Sequence, residues 1–125
     1  MTERGNMATI ELGKYVRGLE SFHTCLEACV ECLVACEACS DACLGDEHVT
    51  MMAECIRLCL DCSEACSSCV VVLSRGSDRA AEFCRLCAEM CDLCAAECEK
   101  HSAEHCRRCA EACRKCAEEC RRMAA

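Results

Sequence analysis

The stretch CLEACVECLVACEACSDAC, residues 25–43, places a thiol at every third or fourth position. Thiols at this density can pair as disulfides, exchange electrons as CxxC motifs, or bind soft metal ions as thiolates. The pattern recurs along the chain. Cys25, Cys29, Cys32, Cys36, Cys39 and Cys43 form a first block, and Cys55, Cys59, Cys62, Cys66 and Cys69 a second. Cys84, Cys87, Cys91, Cys94 and Cys98 form a third, and Cys106, Cys109, Cys113, Cys116 and Cys120 a fourth. Within each block the steps alternate between three and four, which keeps side chains on one face of an α-helix.

Eight CxxC pairs arise from these blocks, among them Cys29 with Cys32 and Cys91 with Cys94. One such pair is a weak signal, shared by redox and zinc proteins. Eight in phase are strong together. Each pair spans about one helical turn, so both sulfurs reach one ion, and the CxxxC steps between pairs can bridge to the next. A thiol stripe can also be an inert core, because cysteine behaves as a small hydrophobe. That reading is costly. Cysteine is smaller than leucine by about two methylenes, and at roughly 0.8 kcal/mol each the cysteine positions forgo up to about 30 kcal/mol of burial. Typical domain stability is only about 5–15 kcal/mol.

Charge selects among the metals. Zinc takes four thiolates in a tetrahedron, and about five such units would leave roughly ten negative charges in the interior. Cu(I) is soft, shares thiolates in two- or three-coordinate geometry, and at about one ion per thiolate leaves the interior nearly neutral. Iron-sulfur clusters call for separate groups of four cysteines, and the run ending in Cys-Pro is absent from a chain without proline.

The elements that position the stripes follow from where the cysteine phase breaks. Gly45 with Asp46, and Gly76 with Ser77 and Asp78, are turn signals, and Ser102 is the expected cap at the third break in EKHSAEH. Helices are predicted near 20–44, 47–74, 78–100 and 103–122. The fold class is therefore all-α: an antiparallel up-down-up-down four-helix bundle with the sulfurs facing the axis. Residues 1–19 form an N-terminal segment, with 8–19 read as a short helical extension carrying Ile10, Val16 and Leu19. Residues 20–122 are the bundle and 123–125 a C-terminal tail.

The chain has 125 residues, 21 of them cysteine, and a net charge of −8. Its length fits one domain. No apolar signal core and no membrane-length run is visible, so the expected location is the cytoplasm, with no membrane partner. There thiols stay reduced, and an odd count cannot pair completely, which disfavours a disulfide scaffold. The negative charge argues against nucleic acid despite the basic residues Arg107, Arg108, Arg114, Lys115, Arg121 and Arg122. Glu104–Arg108, Glu111–Lys115 and Glu118–Arg122 are i, i+4 pairs expected on a solvated face. No nucleophile with a base, substrate cleft motif or phosphate loop is apparent, so no enzyme is expected.

In its four in-phase cysteine stripes, residues 20–122 resemble the cytosolic copper storage proteins, bundles whose cysteine-filled cores hold many Cu(I) ions. The resemblance implies multiple Cu(I) as cargo and a homotetramer, with a copper chaperone or small-thiol copper carrier as the expected donor. It also implies a distinct metal entrance, which the residues indicate independently. Extending the stripes toward the first and third turns brings in His48, Met52 and His101, with His105 beside them; His101 and His105 match the family's mouth histidines by their i, i+4 spacing. The other extension gives Phe22, Leu73, Ala80 and Met123, an apolar plug, with His23 nearby on the surface. The favoured function is high-capacity Cu(I) storage; the alternatives are a metallothionein-like sink for Zn(II) or Cd(II) and a thiol redox protein.

Overall fold

The structure, a computed structural model, describes residues 14–15 and 20–125. The helical extension expected over 8–19 lies outside the described residues, apart from Lys14 and Tyr15. Four α-helices follow: α1 (Glu20–Leu44), α2 (Ala53–Ser74), α3 (Ala80–Cys98) and α4 (Glu104–Ala124). A short 3₁₀ helix, Val49–Met52, leads into α2. The helical runs contain no glycine or proline, and the cysteine steps of three and four average 3.5, the spacing of core-facing positions in a supercoiled bundle.

Around the axis α1 packs against α2 and α4, and α3 against α2 and α4. Sulfur contacts fix the directions. Cys43 at the end of α1 meets Cys55 at the start of α2. Cys55, Cys59, Cys62 and Cys66 then meet Cys98, Cys94, Cys91 and Cys87 in descending order. Cys25 pairs with Cys120 and Cys39 with Cys106 across α1 and α4. Every neighbouring pair is antiparallel, as the short connections require.

Residues one step after each cysteine form the α3–α4 seam. There Ala88, Ala95, Ala110 and Ala117 are buried, and one turn further along stand the groups that cross it. Arg114 reaches Glu99 through two hydrogen bonds of 3.0 and 2.9 Å and Asp92 at 3.3 Å, while Arg121 also binds Asp92. These arginines tie α4 to α3 while remaining about half exposed. The guanidinium of Arg114 holds the Glu99 carboxyl below the ordinary carboxylate range through its hydrogen bonds. On α4 itself Glu104 pairs with Arg107 and Arg108, and Arg122 pairs with Glu119. At the α1–α2 seam the buried Ser63 donates to Glu37 Oε2 at 2.6 Å, and Ser40 donates to the Glu37 carbonyl at 2.9 Å.

The turns differ more than the sequence pattern implies. After α2, Gly76 has a φ of 62°, and its N–H bonds to Leu73 O while that of Ser77 bonds to Val72 O. This pair of bonds is a Schellman motif, which needs the left-handed conformation. Ser77 Oγ, and not Asp78, then accepts the Arg79 N–H at 3.0 Å. After α1 the chain instead leaves through tight bonds from Gly45 N to Ala42 O and Asp46 N to Cys43 O, with no positive φ at Gly45. Asp46 Oδ1 accepts the His48 N–H at 2.7 Å, closing the turn before the 3₁₀ helix. At the third break the cap position is Ala103, in extended conformation and without a side-chain hydrogen bond, instead of Ser102.

Gly76→Ala should lower stability by about 1 kcal/mol, because a β-carbon is disfavoured at left-handed φ although nothing crowds it. Gly45→Ala, whose β-carbon would meet Ala42 O at 3.6 Å in ordinary contact, should change little. Urea denaturation of the two reduced variants checks the contrast.

Candidate metal centre

All 21 cysteines are free thiols with no exposed surface. Their sulfurs form a column along the bundle axis. It starts at Cys25 and Cys120, 3.9 Å apart, continues through Cys62 and Cys91 at 3.6 Å and Cys36 and Cys109 at 3.7 Å, and ends at Cys43 and Cys55, 3.9 Å apart. At 1.5 Å per residue, the α1 part of this column is about 27 Å long. Diagonal helices also approach through sulfur: Cys32 lies 3.9 Å from Cys91, and Cys59 lies 3.8 Å from Cys109.

These spacings suit a shared metal ion. With a metal–thiolate bond of about 2.3 Å, three sulfurs around one ion stand about 4.0 Å apart and four about 3.8 Å apart. Many neighbouring sulfurs here stand 3.6 to 4.0 Å apart. Groups of four with sulfurs within 4.8 Å of one another recur along the column, and they overlap: Cys32 and Cys62 belong with Cys66 and Cys91, and also with Cys36 and Cys113. Cys36 and Cys113 in turn belong with Cys94 and Cys109. Separate tetrahedral sites would compete for these sulfurs. Bridging ions of low charge use them all.

The two ends of the column differ. At one, Leu73 and Ala80 are buried and Phe22 and Met123 pack against the core, as an apolar closure; His23 nearby is half-buried. At the other, Cys39, Cys43, Cys55 and Cys106 form a four-sulfur group. His105 Nδ1 stands 3.3 Å from Cys39 Sγ and 3.6 Å from Cys106 Sγ. Met52 is buried at this end. His101 is partly exposed and lines an open cleft of about 520 Å³ together with Glu99, Arg107, Ala110, Glu111 and Arg114. Its Nε2 lies 3.1 Å from Glu97 Oε2. His48 is at the same end, but its side chain is 71% exposed and pairs with Glu47 at 3.9 Å. The structure thus brings His105 to the sulfurs, buries Met52 at the same end, keeps His101 at the rim, and leaves His48 in solvent.

Thiol protonation in this group follows from burial and shared hydrogen bonds. Hydrogen bonding from Cys39, with further donors at Cys59 and Cys98, pulls the Cys55 thiol well below its ordinary value. Burial, reinforced by the charge of a neighbouring Cys55 thiolate, pushes Cys43 up to about 12 and Cys106 up to about 11. One thiolate can collect donors; its neighbours then stay protonated until a cation replaces their protons. Among the groups that spacing of cysteines does not reveal is Glu97. An acidic residue four before His101, in the last turn of a helix, is the signal that could have found it.

The family model described as copper storage protein, Csp, matches residues 19–125. Among solved structures the chain is similar to the Cu(I)-bound copper storage protein BsCsp3 of Bacillus subtilis, at 40% identity and a TM-score of 0.81, covering 85% of this chain and 100% of that one. It is similar to a cytosolic copper storage protein from Streptomyces lividans with five coppers, at 40% identity and 0.81, covering 84% and 92%. A structure of the Streptomyces lividans protein Ccsp loaded with 10 copper equivalents gives 38% and 0.82, covering 92% and 90%. No curated protein matches the chain. With a family match over residues 19–125 and a bundle axis lined by buried cysteines, the chain belongs to the copper storage protein family.

Proposed function

We propose that residues 20–122 are a high-capacity store for Cu(I), held by thiolates along the bundle axis. The observation that carries this is the column of 21 buried cysteines, most of whose sulfurs stand 3.6 to 4.0 Å from another sulfur. Relatives of the same fold are Cu(I)-bound or loaded with 10 copper equivalents. All 21 cysteines are assigned as ligands. His105, in contact with Cys39 and Cys106, is the inner ligand of the mouth; His101 and Met52 complete it, and His48 is a first contact on the exposed turn. The opposite end stays shut behind Leu73 and Ala80.

The protein stores metal and catalyses no reaction. It works in the cytoplasm, as the Streptomyces lividans relative is described, and receives copper from a chaperone or a small-thiol carrier. The homotetramer implied by the family would cover exposed apolar side chains such as Val34, Leu60, Leu86 and Leu93, each about half exposed.

Anaerobic titration of the reduced protein should reach close to one Cu(I) per cysteine, whereas Zn(II) should stop near one per four; equal endpoints for the two metals would refute the reading. Replacing His105 with Ala should slow the first phase of loading severalfold in stopped-flow absorbance. The raised thiols also set a pH dependence for the metal-free protein. Cys43 and Cys106 titrate in the fold near 12 and 11 against an ordinary 9.0. Folding therefore favours their protonated forms, a contribution complete below about pH 9 and lost as pH rises through 11 to 12. The melting temperature of the reduced apoprotein should hold between pH 7 and 8 and fall above 9, and the copper-loaded protein should not follow it.

A further inference from the structure

Glu97 lies in the last turn of α3, where the helix dipole disfavours an acid. Its side chain is nevertheless only 11% exposed, and carboxylates are rarely so buried without partners. Two groups hold it. Oε1 accepts from the Lys100 ammonium at 3.2 Å, and Oε2 lies 3.1 Å from His101 Nε2. The His101 backbone N–H is bonded to Cys98 O, so the ring is anchored at the end of the sulfur stripe by its main chain as well.

A carboxylate oxygen has no proton to give, so the hydrogen of this bond is on Nε2. In the neutral imidazole the lone pair is then on Nδ1. His105 also turns Nδ1 toward sulfur, at 3.3 Å from Cys39 and 3.6 Å from Cys106. We infer that Glu97 is a positioning residue for copper capture, holding His101 in the tautomer whose Nδ1 takes Cu(I) at the mouth. The same nitrogen is thus presented by both histidines, and the ion passes inward between like donors. Carboxylates bonded to the far nitrogen of a metal-binding imidazole fix the ring in this way and strengthen it as a ligand. The inference rests on the storage reading.

Its test uses the full-length reduced protein, its Glu97→Gln and Glu97→Leu variants, His101→Ala, and the double variant Glu97→Leu with His101→Ala. Loading from a Cu(I)–glutathione complex is followed by stopped flow under anaerobic conditions, and the histidine ring nitrogens by ¹⁵N NMR. The wild-type ring should show Nε2–H, with the Nδ1 resonance moving at the first equivalent of copper. Glu97→Leu should slow the capture phase about tenfold, within the range for such outer partners, with Glu97→Gln intermediate. In the absence of His101 the Leu substitution should have no further effect. Movement of Nε2 in place of Nδ1, or wild-type tautomer and rate in both Glu97 variants, would overturn the inference. A wild-type protein that takes up no Cu(I) would instead sink the storage reading itself. Circular dichroism separates a variant that fails to fold, and in that event the Glu97→Gln ring spectrum decides.

Discussion

A cysteine side chain ends one atom beyond its β-carbon, and the bundle is organised by that shortness. Sulfurs from opposite helices can meet across an axis only if the helices come close together. The flanks are built accordingly. Ala88, Ala95, Ala110 and Ala117 are buried along the α3–α4 seam, and Ser40 and Ser63 occupy the α1–α2 seam, with their hydroxyls satisfied by Glu37. Small residues on the seams and small residues on the axis belong together; a leucine on either would push the sulfurs out of mutual reach. Cohesion lost from an aliphatic centre is partly recovered outside it, where Arg114 and Arg121 bind Asp92 and Glu99 across α3 and α4. Such exposed pairs are individually weak, but the forked geometry of Arg114 is the favourable one.

The interior is held in electrical balance. Thiols are neutral, buried charge is expensive, and a monovalent ion exchanged for a proton leaves the sum unchanged. A divalent ion on four thiolates does not. The overlap of the four-sulfur groups around Cys32, Cys36, Cys62 and Cys113 adds a geometric reason, because a sulfur that belongs to two groups must bridge. His48, His101 and His105 stand at one end and an apolar closure at the other, which gives the column a direction that the sulfurs alone lack.

Much of this was legible in the residue order. Alternating steps of three and four specify a buried helical stripe, and each phase break marks a turn, so four helices and a sulfur-lined axis follow from spacing alone. Less legible were features worth about 1 kcal/mol or less. Gly45 and Gly76 look alike in sequence, yet only Gly76 takes a positive φ, because it completes a Schellman motif while α1 unwinds through tight bonds into a 3₁₀ turn. Ser102 gave way to Ala103 as the cap for the same reason: several local endings are nearly equal in energy, and the packed helices choose among them. His48 and His105 could not be ranked from phase. His105 opens a helix that points its ring at Cys39, whereas His48 lies on a connection whose backbone aims it at water.

The apolar closure formed by Leu73, Ala80, Phe22 and Met123 has a further consequence. With copper entering at the proposed His105 rim alone, a tube so sealed at its base would be a stack, in which cargo deposited first lies deepest and cargo deposited last leaves soonest. A cell drawing on such a stack would meet freshly acquired ions at once, while those near Cys25 and Cys120 would stay out of circulation until everything above them had been withdrawn.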